Sequence, residues 1–124
     1  MDLLLDTNVI LWLATGSARL NPNVIEMVTH EANAMFVSVI SGWEYEQKRL
    51  KHPAQLPIAF GELVAAFPHG PLDFPFEAFP HAGSLPMIHR DPFDRMLVAQ
   101  ALHYDLTIVT PDEAIRAYPA KTFW

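Results

Sequence analysis

Residues 3–13 read LLLDTNVILWL. Leu3, Leu4 and Leu5 form an apolar run without alternation that stops at Asp6, the signature of a strand buried on both faces, as in a parallel sheet. A helical pattern follows at once, from about Val9 to Ala14. A strand that ends in an acid and passes straight into a helix is the opening unit of an α/β fold, and in such folds function gathers beyond the carboxyl ends of the strands.

The rest of the chain repeats that grammar. Asn21 and Pro22 start a helix, as cap and first turn, with Val24, Ile25 and Val28 as its apolar stripe. Ala34–Ser38 is the next strand. Helical period then resumes through Ile40, Trp43, Gln47 and Leu50 and ends before His52-Pro53. A third amphipathic helix is expected over Ile58 to Phe67, carrying Phe60, Leu63, Val64 and Phe67. Six of the eleven prolines fall between Pro53 and Pro80, so the middle of the chain must consist of short elements. Asp91-Pro92-Phe93-Asp94 opens a helix that runs to about Tyr104. Leu106–Thr110 is the strongest strand signal, β-branched and followed by Pro111-Asp112. Thr122–Trp124 is expected to close the sheet. Strands alternating with helices predict a three-layer α/β sandwich around a mostly parallel sheet of about five strands, with residues 1–124 as one domain.

Composition narrows the function. With 124 residues, 51% of them hydrophobic, the chain can bury a core without staples. It has no cysteine, which excludes disulfides and thiolate metal sites and suits a reducing cytoplasm. Asp2 and Asp6 interrupt the apolar N-terminus, no basic segment precedes it, and no apolar run reaches the ~18 residues of a membrane span. A soluble protein is expected. The net charge of −6 opposes binding of nucleic acid by general attraction. Four carboxylates held on divalent cations would leave −2 elsewhere and make the site itself attractive to phosphate.

Those carboxylates are Asp6, Glu44, Asp94 and Asp112. Asp6 and Asp112 follow strands at the same edge of the sheet, and Glu44 and Asp94 stand near the starts of helices. Each has an ordinary explanation: Ser41 to Glu44 fits a capping box, Asp91 and Asp94 fit a cap and an acid in the first turn, and Asp6 and Asp112 can cap the helices after their strands. Together they are harder to explain that way, because convergent bare carboxylates repel or take up protons. A cation resolves the conflict. Oxygen donors without cysteine or a histidine pair favour Mg²⁺ or Mn²⁺ over zinc.

At these residues the sequence resembles the PIN-domain family, and within it the VapC-type toxins of toxin–antitoxin pairs. The matching segments are LLLDTNVILWL at 3–13, SVISGWEYEQK at 38–48, HRDPFDRMLVAQAL at 89–102 and LTIVTPDEAIRAY at 106–118. The resemblance places an acidic quartet on Asp6, Glu44, Asp94 and Asp112, with Asp91 auxiliary and Thr7, Asn8 and Thr110 as polar positions that orient ligands. It implies Mg²⁺- or Mn²⁺-dependent endonucleolytic cleavage of RNA, with water activated by metal and 5′-phosphate and 3′-hydroxyl products. It also implies a small antitoxin partner. Three tryptophans and the apolar composition suggest a homodimer. Glu46, about 200° around the helix from Glu44, should face elsewhere and lie on the surface. Lys48, Arg49, Lys51, Arg90 and Arg95 flank the acids; of these, Lys48, Arg49, Arg90 and Arg95 are the leading candidates for contacts to the RNA backbone. His89, alone ahead of a helix, reads as structural rather than as a general base.

Other classes fit less well. An aspartate-nucleophile phosphohydrolase needs a second Asp two residues after the first, where this chain has Asn8. A Rossmann cofactor site lacks the Gly-rich turn after the first strand. The alternative from a different class is a non-catalytic RNA- or protein-binding module of the same fold, whose mark would be binding without cleavage under any divalent metal.

Overall fold

A computed structural model describes all 124 residues. Five strands form one sheet: β1 (Asp2–Leu5), β2 (Ala34–Ser38), β3 (Pro71–Leu72), β4 (Thr107–Val109) and β5 (Thr122–Phe123), in the order β3-β2-β1-β4-β5. Every pairing is parallel, with Leu4 opposite Phe36 on one side and Ile108 on the other. Helices cover both faces, and the side-chain alternation of β1 shows how. Leu3 and Leu5 enter one core with Val9, Ile10, Val24, Val28 and Tyr45, whereas Leu4 enters the other with Leu97, Val98, Ile108 and Ile115. All three leucines are fully buried, which explains the unbroken apolar run.

The first layer holds α1 (Thr7–Thr15), α2 (Pro22–Thr29), α3 (Val39–Lys51) and α4 (Phe60–Val64); α5 (Phe79–Ser84), α6 (Pro92–Tyr104) and α7 (Glu113–Arg116) complete the set. Asn21 caps α2 through Asn23 N–H, as its sequence predicts. α1 begins earlier than expected, because Asp6 at its N-cap lets Thr7 and Asn8 join the first turn. α3 begins directly after β2, where the helical period sets in. Ser38, the last residue of β2, caps it by accepting from Ile40 N–H, so strand passes to helix without a loop. The expected capping box from Ser41 to Glu44 is therefore absent, and Ser41 is a buried residue inside the helix. No helix is long and apolar enough to cross a membrane.

The proline-rich middle departs furthest from expectation. The helix anticipated over 58–67 contracts to the five residues of α4, and β3, a 3₁₀ turn at Phe76–Ala78 and α5 follow it. Pro71 tolerates a strand because β3 is at the sheet edge. Buried Gln100 of α6 fixes the exit of β3 by donating to the carbonyls of Leu72 and Asp73. α4 packs so tightly on α3 that a Cβ at Gly42 would lie 2.9 Å from the Phe60 ring.

The central strand β1 has β2 on one side and β4 on the other, so the chain changes direction of progress between β1 and β4. A crevice opens at the carboxyl ends of strands flanking such a point. Asp6 leaves β1 there, and Thr110 and Asp112 leave β4.

Candidate metal centre

Asp6 is 3% exposed and stands at the N-cap of α1, yet its side chain makes no capping bond. Its Oδ2 accepts instead from the fully buried Thr110 hydroxyl at 2.7 Å. The Thr110 oxygen also accepts from Asp112 N–H at 3.0 Å, so one side chain fixes the spacing of the ends of β1 and β4. Asp112 caps α7, with Oδ1 accepting from the N–H groups of Ala114 and Ile115, which leaves Oδ2 free to face the crevice.

Glu44 arrives from the other flank on α3, where Ser41 and Glu44 share a face one turn apart. The Thr7 hydroxyl is 2.9 Å from both Ser41 Oγ and Glu44 Oε1. One hydroxyl carries one proton, so Thr7 donates to the carboxylate and accepts from Ser41. α1 thereby holds the α3 acid in place. Asn8, one residue on, is exposed and accepts from Lys48 Nζ at 3.2 Å.

α6 contributes the remaining acids. Asp91 caps it through Phe93 N–H, and Asp94 sits in its first turn. His89 Nε2 lies 2.8 Å from Asp94 Oδ2 and 3.2 Å from Asp112 Oδ2, so the three residues form a group in which a cation could be held. The tautomer limits that reading. Asp91 N–H donates to His89 Nδ1 at 3.1 Å, which leaves Nδ1 unprotonated and the ring proton on Nε2. In this arrangement His89 is a donor bridging two carboxylates, and a nitrogen ligand would need the opposite tautomer. The available donors for a metal are therefore all oxygen.

Electrostatics bind these acids into one unit. Burial pushes the Asp6 carboxyl above its usual 3.8; the Thr110 hydrogen bond opposes this and the charge of Asp112 adds to it. Burial likewise raises Glu44, against the Thr7 hydrogen bond and together with the charges of Asp91 and Asp6. Asp94 is pushed furthest, to about 7, by burial and then by Asp6 and Asp91, with His89 opposing and Glu44 reinforcing. Acids raised toward protonation by burial and by one another's charge suit a divalent cation, and an all-oxygen donor set suits Mg²⁺ or Mn²⁺.

The structure thus gathers Asp6, Glu44, Asp94 and Asp112, with Asp91, Thr7 and Thr110 touching or acting on them. The basic residues separate. Lys48 and Arg90 are exposed beside the acids. Arg49 turns away, paired at 3.3 Å with Glu46, and Glu46 also accepts from Phe60 N–H at 2.7 Å. Glu46 does face elsewhere, but it tethers α4 rather than lying free on the surface. Arg95 was expected to meet RNA, yet its guanidinium donates to the carbonyls of Ala82, Leu85 and Pro86 and to the Tyr118 hydroxyl. It holds the loop before α6 in place. His89, Ser41 and Tyr118 are the residues around the acids that sequence reasoning undervalued. Tyr118 accepts from His89 N–H at 2.8 Å, a link across 29 residues with no local signature.

Known proteins share the fold that carries this site. The profile of the PIN domain matches residues 3–121. Comparison with curated protein sequences gives no match. Among solved structures, VapBC2 from Rickettsia felis bound to a fragment of its promoter DNA contains a chain with a TM-score of 0.72 and 16% identity, covering 100% of this chain and 99% of that one. DNA-bound VapBC from Salmonella typhimurium gives 0.72 and 18% identity over 99% and 97%. FitAcB from Neisseria gonorrhoeae gives 0.65 and 16% over 98% and 96%. These identities speak for a shared fold, while the profile spans nearly the whole chain and both strand ends that carry the acids. The chain belongs to the PIN-domain family.

Proposed function

We propose that this protein is a Mg²⁺- or Mn²⁺-dependent endoribonuclease and the toxin of a toxin–antitoxin pair. The observation that carries the reading is the convergence of Asp6, Glu44, Asp94 and Asp112 at the strand switch point, with three of the four pushed toward protonation. Carboxylates that burial and mutual charge disfavour cost the fold stability, and a bound cation would account for their being gathered there. The toxin assignment draws on the VapBC complexes that share the fold.

In this reading Asp6, Glu44, Asp94 and Asp112 hold the cation. When bound, it would supply the lowered pKa of attacking water and neutralise charge on the scissile phosphate. The chain's own groups provide the orientation. Thr110 fixes Asp6 against the backbone of Asp112, and Thr7 fixes Glu44 against Ser41. His89 holds Asp94 and Asp112 within reach of one donor, and these two acids would be among those that hold the cation. Asp91 adds negative charge close by while its Oδ1 remains committed to the helix cap. Lys48 and Arg90, both exposed, would meet the RNA backbone.

The partners in this reading are RNA, an antitoxin that covers the acidic crevice, and a second copy of the chain. For the last, the support is exposed apolar side chains such as Leu50, Phe76 and Met87. The decisive experiment is incubation of the purified protein with mixed cellular RNA in Mg²⁺, Mn²⁺ or EDTA, beside an Asp6→Asn variant. Cleavage that needs metal and Asp6 and leaves 5′-phosphate ends is expected. Binding without cleavage under any metal would assign the chain to the non-catalytic class, and 2′,3′-cyclic phosphate products would refute the mechanism.

A further inference from the structure

A cleft of about 250 Å³ lies between α3 and the start of α6, lined by Trp43, Glu44, Gln47, Lys48, Lys51 and Phe93. Glu44 belongs also to the acid cluster, so the cleft borders the candidate metal centre. Trp43 is 59% exposed, unusual for the largest apolar side chain on a small domain. Trp43, Gln47 and Lys51 follow one another at four-residue spacing, and Glu44 and Lys48 form the neighbouring row. The wall is thus a strip of aromatic face, amide and cations beside the acids.

The remainder of the charge distribution makes that strip significant. The chain carries −6, and only eight lysines and arginines. Arg49 and Arg95 are engaged internally. Beside the acids this leaves Lys48, Lys51 and Arg90 exposed, and two of these three line the cleft. A polyanion approaching the acids finds its attractive charge there, together with π-faces. Aromatic faces between backbone-tracking cations are how single-stranded nucleic acid is held, whereas a duplex has its base faces already stacked.

We infer that this cleft is a subsite for one unpaired nucleotide of single-stranded RNA adjoining the scissile phosphate. Its base stacks on Trp43 with Phe93 as the second apolar wall, Gln47 offers a donor and an acceptor to the base edge or ribose, and Lys48 and Lys51 meet the flanking phosphates. This inference rests on the nuclease reading above and adds to it the place and the residues at which a nucleotide beside the cut is held.

The test uses the full chain carrying Asp6→Asn, so that RNA survives, with Mg²⁺ and a 12-nucleotide single strand of mixed sequence or the same strand in duplex. Tryptophan fluorescence should be quenched by the single strand and little by the duplex, and the quenching should vanish on adding Trp43→Ala. Affinity should fall by about tenfold with Trp43→Ala, given stacking worth ~1–3 kcal/mol per base, and be largely kept by Trp43→Phe. Lys48→Ala with Lys51→Ala should reduce the salt slope by roughly 1.4, at about 0.7 per phosphate contact. Affinity and salt slope unchanged in these variants, while the chain with Asp6 restored cleaves RNA, would overturn the subsite and leave the nuclease standing. Trp43-dependent binding with no cleavage by that chain would keep the cleft and overturn the nuclease.

Discussion

Two groups of acids at the same edge of the sheet live under opposite physical regimes. Asp91 and Asp112 accept backbone N–H bonds at helix N-termini, where a carboxylate stabilises the fold. Asp6, Glu44 and Asp94 are drawn inward, satisfied by few donors and raised toward protonation by burial. A residue's sequence context tells what it does for the helix, while its depth tells what it costs the fold. Asp112 links the two groups, since one of its oxygens caps α7 and the other meets the His89 donor that also binds Asp94.

The largest effect expected from breaking this division is on activity. Asp94→Asn should lower RNA cleavage on the order of 100-fold or more, because it removes a charged donor from the centre. Asp91→Asn retains the capping oxygen and should cost less than about tenfold. Single-turnover cleavage rates for the two variants, measured at saturating Mn²⁺, check the contrast. Equal losses would erase the distinction between the inward acid and the capping one.

Stability should move the other way. The Asp94 carboxyl keeps its proton to about 7 in the folded chain and releases it near 3.8 when unfolded. The folded state therefore binds more protons across that window, and the metal-free protein should lose stability as pH rises from about 4 to 7. At about 1.4 kcal/mol per pH unit the loss has an upper limit of about 4 kcal/mol. Asp94→Asn should flatten this slope and raise the melting temperature of the metal-free protein at pH 7.5 by several degrees. Mn²⁺ at about 100 times its Kd should restore ~2.7 kcal/mol to the wild type and far less to the variant. Melting curves in EDTA and in Mn²⁺ across that pH range decide the matter. A wild type whose stability rises from pH 4 to 7 would contradict the inward placement of Asp94.

Thr7 tests how the inward acids are held. Thr7→Val keeps the shape and removes the hydroxyl between Ser41 and Glu44. Mn²⁺ affinity should fall roughly tenfold, as when a group orienting a metal ligand is removed, and Thr7→Ser should recover most of it. Mn²⁺ titration followed by electron paramagnetic resonance gives the affinity without reference to cleavage. Unchanged affinity would make Thr7 a residue of the fold alone.

The same contrast explains what was legible in the sequence. β1 and β4 could be read because strands buried on both faces leave unbroken apolar or β-branched runs, and α2 and α6 because Asn21 and Asp91 precede prolines at first-turn positions. The positions at which the acids leave their strands and helices were readable for the same reason. β3 and α5 were not, since two residues of strand carry no period and α5 contains Pro80 and Gly83. The start of α3 was readable from the period that sets in after Ser38, but its cap was hidden, because Ser38 is at once the end of a strand and a cap, which made Ser41 look like the cap. Arg95 and Arg49 looked available because charge in a sequence carries no sign of its partner. For Arg95 the acceptors are loop carbonyls that only the folded chain brings near, whereas for Arg49 the partner is Glu46, three residues back on the same helix, a pairing that the spacing already allowed. His89 was undervalued for a related reason, since its bonds to Asp94 and Asp112 depend on the approach of α6 to the end of β4.

Asp112 offers the finest separation of the two regimes, because its two roles use different atoms. Oδ1 accepts from Ala114 and Ile115 N–H, and Oδ2 meets the His89 donor. Asparagine is as good an N-cap as aspartate, so Asp112→Asn should leave unfolding in EDTA nearly unchanged while weakening Mn²⁺ binding. Asp112→Ala should weaken Mn²⁺ binding as well and in addition lose about 1 kcal/mol of stability. Urea midpoints in EDTA isolate the cap, because no metal contributes there. If Asn and Ala destabilise equally, the cap is worth nothing and the carboxylate's charge toward the α7 N-terminus supplies its contribution; if neither does, α7 is held by the burial of Ile115 alone.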